Sequence, residues 1–142
     1  MQVDNILQTK GHDVITVEAG APLSEAVRML NTHKIGAVVV VDAKGKVAGI
    51  LSERDIVRRL DKDPVALLAS PVRNAMTAKV ITTTSAASVS DLMEQMTRHR
   101  IRHIPIVDSG KLVGIVSIGD VVKRKIEEAE QEALALKEYI AG

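Results

Sequence analysis

The stretch Gly49-Ile50-Leu51-Ser52-Glu53-Arg54-Asp55 decides the fold of this chain, because it recurs as Gly114-Ile115-Val116-Ser117-Ile118-Gly119-Asp120. Each copy lies between an apolar run and a helical pattern, which predicts a strand that turns into a helix at the serine. Free N–H groups at such a helix start favour an anion, and the aspartate can accept hydrogen bonds from a sugar diol. Ser-x-x-acid is also the sequence of a capping box, in which both side chains only satisfy backbone N–H groups, so that alternative stays open.

The repeat extends beyond this stretch. Thr16 aligns with Thr82 at a spacing of 66 residues, and after a predicted turn the spacing becomes 65, as expected for a duplicated unit that has lost one residue. Each copy is predicted as β-α-β-β-α, with first strands at Val14–Val17 and Val80–Thr83. The predicted fold class is therefore α/β (α+β), with two such units packed as a pseudo-two-fold pair and a C-terminal helix.

The predicted division places the first unit and an N-terminal segment in residues 1–62, a linker in 63–75, the second unit in 76–125 and an amphipathic helix in 126–142. Units of this size have thin cores, so we expect them to pack together and to form two related clefts at their interface. The tail carries apolar residues at spacings of four and three, which fit equally a helix on its own domain or a dimer contact. These residues are Val122, Ile126, Ala129, Ala133, Leu136 and Ile140.

Composition narrows the functional classes. Hydrophobic residues make up 46%, and a net charge of +1 gives no global attraction to nucleic acid or membrane. The chain has no cysteine and four scattered histidines, so we expect no metal site. We find no secretory signal, no apolar run near the ~20 residues that span a bilayer, and no nucleophile paired with a base. We predict a soluble, cytoplasmic protein that is not an enzyme and binds neither nucleic acid nor membrane.

The two motif copies, with His103-Ile104-Pro105-Ile106-Val107 in the second strand, resemble a tandem pair of CBS domains, the regulatory module named after cystathionine β-synthase. The resemblance covers about Val3 to Lys125. It implies an adenosine-containing ligand: AMP, ADP, ATP, NAD or S-adenosylmethionine. The chain also resembles a subgroup of stand-alone pairs, for which AMP and NAD(H) are the implied ligands. The segments that carry this closer resemblance are Ile6–Gly11, Ser52–Asp55, Arg98–Pro105 and Leu136–Ile140.

The resemblance also implies roles for individual residues. Asp55 and Asp120 would bind the ribose hydroxyls, and Ser52 and Ser117 would lie near the phosphate. The residues that would flank adenine are Ile35, Gly36, Ala37, Arg102, His103 and Ile104, and those that would form the opposite wall are Val14, Thr16, Val80 and Thr82.

The two copies differ at several of these positions. Copy one has Gly36 where copy two has Arg102, and Arg54 where copy two has Gly119, so the two clefts should not be equivalent. The side chains of Arg102, His103 and Arg54 can contact a phosphate directly. Lys10 is a further phosphate candidate, although its repeat position carries no cation.

We therefore predict a non-catalytic sensor of adenine nucleotides that forms a homodimer and signals its ligand state to a protein partner. One alternative is an oligomerisation module whose clefts are vestigial. An enzyme that acts on a nucleotide is the least favoured class, because the sequence shows no catalytic constellation. The basic cluster at residues 99–103 lacks an aromatic stacking partner, which argues against nucleic-acid binding.

Overall fold

The structure, a computed structural model, describes all 142 residues and has mixed α/β architecture. The strands are β1 Thr16–Glu18, β2 Ala37–Val41, β3 Val47–Ser52, β4 His103–Asp108 and β5 Lys111–Ser117. A three-stranded sheet has the order β1-β2-β3, with β1 parallel and β3 antiparallel to β2, and β4 and β5 form an antiparallel pair. The helices are α1 Val3–Lys10, α2 Leu23–His33, α3 Glu53–Val57, α4 Pro64–Ala69, α5 Val89–His99 and α6 Ile118–Ala141, with a 3-10 turn at Val72–Asn74. The predicted fold class is confirmed.

The first strand of the second unit differs from the prediction. Residues 80–83 are predicted as a strand, but only Thr83 pairs with the neighbouring strand, through an isolated bridge. In the first unit, the Val39 N–H donates to the Ile15 carbonyl at 3.2 Å. The repeat position of Val39 is Pro105, which has no N–H, so the equivalent hydrogen bond cannot form. The proline therefore accounts for the reduced pairing.

The chain buries two separate aliphatic cores, and each of them includes residues from outside its own repeat. The first core contains Val17, Leu23, Ala26, Leu30, Val38, Val40, Leu51, Ile56, Val72 and Ala75. The second core contains Val3, Ile6, Leu7, Val89, Leu92, Met96, Ile104, Ile106, Val116 and Val121. The segment that precedes each unit thus completes the core of the other unit.

Helix α1 packs into the core of the second unit in this way. The Val3 N–H donates to the Ala87 carbonyl at 2.8 Å, and Leu7 is fully buried. A Cβ on Gly114 would lie 2.6 Å from Leu7 Cδ2, so the glycine gives α1 its close approach to β5. The N-terminal segment of the predicted first unit, residues 1–62, therefore packs the apolar face of α1 on the second unit.

The segment around Thr77 makes the matching contact on the first unit. Ile50 and Thr77 exchange two backbone hydrogen bonds of 3.0 and 2.9 Å. A Cβ on Gly49 would lie 2.9 Å from the Thr77 carbonyl oxygen, so this crossing also requires glycine. The predicted linker, residues 63–75, is more than a connection, because it contains α4 and two buried residues of the first core.

Helix α6 is continuous through the predicted boundary between residues 125 and 126. Val121 is buried in the second core, but every side chain from Ala129 onward is exposed. The C-terminal half of this helix therefore does not lie on its own domain, which was one of the two alternatives left open by the sequence. No helix of the structure combines the length and the apolar character needed to cross a membrane.

We expect the Leu7→Ala substitution to lower the free energy of unfolding by about 2–5 kcal/mol, because it leaves a cavity in the second core. Chemical denaturation measures the loss. The matched control is Leu134→Ala, whose side chain is 58% exposed and which should change stability by less than about 0.5 kcal/mol. Native-state amide exchange should accelerate more in β4 and β5 than in β2 and β3; equal acceleration would contradict the assignment of α1 to the second unit.

Candidate functional site

Both Ser-x-x-Asp motifs form capping boxes. The Ser52 N–H donates to Asp55 Oδ2 at 2.9 Å, and the Ser117 N–H donates to Asp120 Oδ2 at 2.8 Å. In return, each aspartate N–H donates to the serine Oγ, at 3.4 and 3.1 Å. The capping alternative is thus confirmed as local geometry. It uses Oδ2 of each carboxylate and leaves Oδ1 for other contacts, so a capping role does not exclude ligand binding.

Lys10 reaches Asp120 from the end of α1. Its Nζ donates to Asp120 Oδ2 and to the Ile115 carbonyl, both at 2.7 Å. Two residues further, His12 Nδ1 lies 2.9 Å from the Val113 carbonyl oxygen. The chain after α1 therefore runs across β5, and it carries a cation from outside the repeat into the second motif. The Lys10 and Asp120 side chains remain 32% and 24% exposed.

The two predicted adenine-flanking segments meet across the interface of the units. A Cβ on Gly36 would lie only 3.3 Å from His103 Cε1, so the glycine allows the imidazole to approach closely. The Gly36 carbonyl accepts from the Glu53 N–H at 3.0 Å, and the Arg102 carbonyl accepts from the Ile118 N–H at 2.8 Å. Each segment is thereby tied to the helix start of its own unit. We refer to the residues of this region as the Asp120 cluster. Its members are Lys10, Gly36, Arg102, His103, Ser117 and Asp120.

The electrostatics of the Asp120 cluster favour a neutral imidazole beside an ionised carboxylate. Burial lowers the pKa of His103, and the charges of Lys10 and Arg102 lower it further against the opposing charges of Asp120 and Glu53. Burial by itself would raise the pKa of Asp120. The hydrogen bonds from Lys10 and Ser117, together with the positive charge of Lys10, outweigh this effect, so the pKa of Asp120 is lowered. The cluster therefore combines the basic side chains of Lys10 and Arg102 with one acceptor carboxylate.

Asp55 is held more tightly than Asp120. It is only 6% exposed, its Oδ2 also accepts from Ser52 Oγ at 3.1 Å, and its Oδ1 accepts from Thr77 Oγ1 at 3.3 Å. Arg58 Nη1 lies 4.0 Å from the same Oδ1. For Asp120 Oδ1, in contrast, the structure shows no hydrogen bond within the protein. The two motif aspartates thus differ in exposure and in their available oxygen atoms.

Thr77 was not among the sequence candidates. It follows Met76, which is the repeat position of Lys10, so the segments before the two first strands are equivalent in the repeat. Each of them reaches the motif aspartate of the other unit. The signal that could have identified Thr77 was therefore the alignment itself, applied to residues ahead of the first strands.

The other predicted site residues lie in the strands, beside them or at a helix start. The Arg54 side chain is exposed and makes no ion pair in the structure. Thr16 lies in β1 and pairs with Val39 of β2. Val14 is half-buried and lies just before β1. Ala37 and Ile104 are buried strand residues, while Ile35 packs against the first core.

Val80 and Thr82 line two clefts that contain neither motif aspartate. One cleft of about 320 Å³ lies between the units and is shared with Lys46 and Val47. A second cleft, of about 640 Å³, lies between residues 80–83 and α5 and carries Asp91 on its wall. Neither lining includes a residue of the Asp120 cluster. No group of three or more histidine, aspartate and glutamate side chains is placed to hold a metal ion.

Comparison with known proteins connects this geometry to a family. The family model of the CBS domain matches residues 5–62 and 72–127. A curated relative, the mitochondrial CBS domain-containing protein CBSX3 of Arabidopsis thaliana, is 38% identical over 122 residues, which cover 83% of this chain but 59% of that protein. The CBS domain-containing protein YhcV of Bacillus subtilis is 32% identical over 136 residues, covering 93% of this chain and 94% of YhcV. The matching family model indicates no catalytic domain.

Solved structures support the same relationship. A CBS-domain containing protein from Agrobacterium tumefaciens has a TM-score of 0.83 at 45% identity, with 87% of this chain and 92% of that chain covered. The CBS domain pair of protein MJ0100 has a TM-score of 0.80 at 27% identity, with 90% and 98% covered. That pair was solved in complex with 5′-methylthioadenosine and S-adenosyl-L-methionine.

We expect Lys10→Met to raise the pKa of both His103 and Asp120, because it removes a positive charge and one hydrogen bond. NMR titration of the imidazole and carboxyl resonances measures both values. Lys62→Met, at an exposed lysine outside these contacts, is the control and should leave both values unchanged.

The pH dependence of stability follows from the same two groups. The pKa of Asp120 is depressed by folding, so its contribution is present above about pH 4 and is lost as the pH falls through the folded-state pKa. His103 folds as the neutral form, so stability should also decline as the pH falls below about 6.5. Denaturation of the His103→Gln variant should show a smaller decline between pH 6.5 and 5; an unchanged decline would contradict the buried, neutral imidazole.

Proposed function

Because this chain belongs to the CBS-domain family and carries two of its domains in tandem, we propose that it is a non-catalytic sensor of adenine nucleotides, with AMP or NAD(H) as its ligand. CBS pairs are regulatory ligand-binding modules, and the related pair of protein MJ0100 holds two adenosine compounds. The observation that carries the proposal is the Asp120 cluster, in which a carboxylate with a free oxygen atom lies beside the Lys10 ammonium at a helix start.

The chemistry of the cluster suits a nucleoside phosphate. Asp120 Oδ1 can accept from the ribose hydroxyls while Oδ2 keeps its capping hydrogen bond. Lys10 and Arg102 supply positive charge for a phosphate, and the first N–H groups of α6 favour an anion at the same place. Since the Lys10 Nζ lies 2.7 Å from the carboxylate, it can exchange this partner for a phosphate oxygen through a short movement. Gly36 brings its backbone close to the His103 imidazole, so the two segments that would flank the base lie together.

The Asp55 side is proposed as a second, weaker site. A ligand there would have to displace the hydrogen bond from Thr77 Oγ1 and open a carboxylate that is 6% exposed. This desolvated carboxylate already has its partners, so ligand contacts gain less than at Asp120. The proposal is therefore two sites of unequal affinity, as the divergence of the two copies suggests.

The packing of α1 on the second unit could transmit ligand binding to a partner protein. Lys10 ends α1, which packs on the second unit, while the residues that follow it begin the first unit. A ligand that engages Lys10 and Asp120 would stabilise the packed arrangement of the two units by mass action and would bias the surface that a partner reads. We propose that the protein acts in the cytoplasm, as a homodimer, on a protein partner.

An oligomerisation module with vestigial clefts is the second candidate, and the exposed C-terminal half of α6 favours it. The two candidates share a dimer but differ in ligand binding. Calorimetry decides between them.

Titration with AMP, NAD, ATP and S-adenosylmethionine should give binding heat and a thermal shift with at least one of them. Asp120→Ala should weaken that binding by about 10-fold or more, because it removes hydrogen bonds to a charged acceptor. Asp55→Ala should affect mainly a second, weaker binding event. Absence of heat and of thermal shift with all four compounds would overturn the proposal in favour of the vestigial-cleft alternative.

The matched control for these variants is Asp91→Ala. Asp91 is an exposed aspartate in the first turn of α5, and it lines the cleft of about 640 Å³ beside this helix. Binding should be unchanged in this variant. If Asp91→Ala weakened binding and Asp120→Ala did not, the ligand would occupy the cleft beside α5 and the Asp120 cluster would lose its proposed role.

A further inference from the structure

The C-terminal helix carries an apolar stripe that its own domain leaves uncovered. Spacings of four and three alternate along this stripe, which is the a/d pattern of a coiled coil. We call it the α6 seam, and its members are Val122, Ile126, Ala129, Ala133, Leu136 and Ile140. The exposure of Ile126, Leu136 and Ile140 is 53%, 60% and 76%. A protruding helix of this length is marginal by itself in water, so the seam calls for a partner that covers it.

The charges beside the seam identify that partner. With Ile126, Ala133 and Ile140 at positions a, Lys125 and Glu132 occupy positions g, and Glu130 and Lys137 occupy positions e. In a parallel coiled coil, each g residue faces the e residue five positions later on the other helix. Lys125 would then face Glu130 of a second copy, and Glu132 would face Lys137 of a second copy. All four of these contacts in a symmetric pair join opposite charges.

We propose that α6 is the dimer interface, formed as a parallel, in-register coiled coil with a second copy of this chain. An antiparallel pair about the middle of the seam would instead oppose e to e and g to g. Glu130 would then lie beside Glu130 of the other chain, and Glu132 beside Glu132, which joins like charges. The inference rests on the homodimer proposed above and adds the surface, the orientation and the register.

A membrane surface fits the seam less well than a second copy does. Residues 121–142 carry four basic and five acidic side chains, so this helix has no basic polar face to attract anionic lipid. The same helix begins at the Asp120 cap. The coiled coil would therefore connect the Asp120 clusters of two subunits through one continuous helix in each.

The first test compares two leucines on the same helix turn. Leu136 lies in the seam, whereas Leu134 lies outside it, and their exposures are 60% and 58%. Sedimentation velocity over a range of concentrations should give a dimer for the parent chain. Leu136→Glu should raise the dimer Kd by about 100-fold or more, because it places a charge in the seam of both subunits. Leu134→Glu should leave the Kd unchanged.

Three outcomes would overturn the inference in different ways. A parent chain that is monomeric at all concentrations removes both the proposed homodimer and the seam. A dimer that persists in Leu136→Glu keeps the homodimer but places its interface elsewhere. Equal dissociation of the dimer by both variants assigns the apolar face to something other than a specific pair. The same conclusion follows if a monomeric parent chain binds anionic vesicles and Leu136→Glu abolishes that binding. Ligand binding, measured separately by calorimetry, distinguishes all of these from failure of the nucleotide sensor.

The second test concerns orientation. Lys125→Glu should weaken the dimer and the added Glu130→Lys should restore it, because only the parallel register pairs these two positions. The chain has no cysteine, so Ala133→Cys introduces a single thiol at a position a. Mild oxidation should join two copies through this thiol, whereas Ala135→Cys, on the outer face, should not cross-link. Lack of rescue together with lack of cross-linking in a dimeric Ala133→Cys protein would exclude the parallel register.

Discussion

The close approach of a preceding segment to a glycine in a neighbouring strand is the contact on which the rest of this structure depends. Leu7 fits against Gly114, and the Thr77 carbonyl fits against Gly49. Each contact holds a segment from outside a repeat against that repeat's strand, so neither core is built from its own repeat alone. A repeat of about sixty residues has little interior of its own, and this exchange lets two small units share what each lacks. The glycines of the duplicated motif are therefore structural requirements as well as part of the motif.

The same exchange builds the candidate site. Lys10 reaches Asp120 only because α1 packs on the second unit, and Thr77 reaches Asp55 only because its segment pairs with β3. The aspartates of the two motifs consequently accept hydrogen bonds from different side chains outside the motif. Asp120 accepts from the long, partly exposed Lys10 side chain, and Asp55 accepts from the short Thr77 hydroxyl. A carboxylate paired with a partly exposed cation can exchange partners more readily than a buried, satisfied one, so the pseudo-symmetric sequence gives the two aspartates chemically distinct surroundings. Capping geometry is common to both and uses Oδ2 of each carboxylate.

Sequence reasoning was most accurate where the repeat carried the information. The duplicated β-α-β-β-α order and the capped helix starts at Ser52 and Ser117 follow from local pattern, because periodicity and capping are short-range properties. The prediction failed at the first strand of the second unit, where residues 80–83 are β-branched but β4 carries Pro105 instead of a hydrogen-bond donor. That failure was readable in principle, since the proline occupies the repeat position of Val39. It required knowing which N–H groups of the middle strand face the first strand, which propensity does not supply.

The amino-acid sequence by itself determined the duplication, the class of fold, the motif positions and the seam of the C-terminal helix, because all of these are written in spacings along one chain. Tertiary structure alone decided that α1 packs on the second unit, that Lys10 pairs with Asp120, that Val80 and Thr82 line a cleft between the units, and that the side chains at the end of α6 are exposed. These features depend on contacts between residues far apart in sequence, and Lys10 and Asp120 are separated by 110 positions. Local pattern carries no record of such pairs, since the same amphipathic helix can cover either of two similar cores until the packing of both is known.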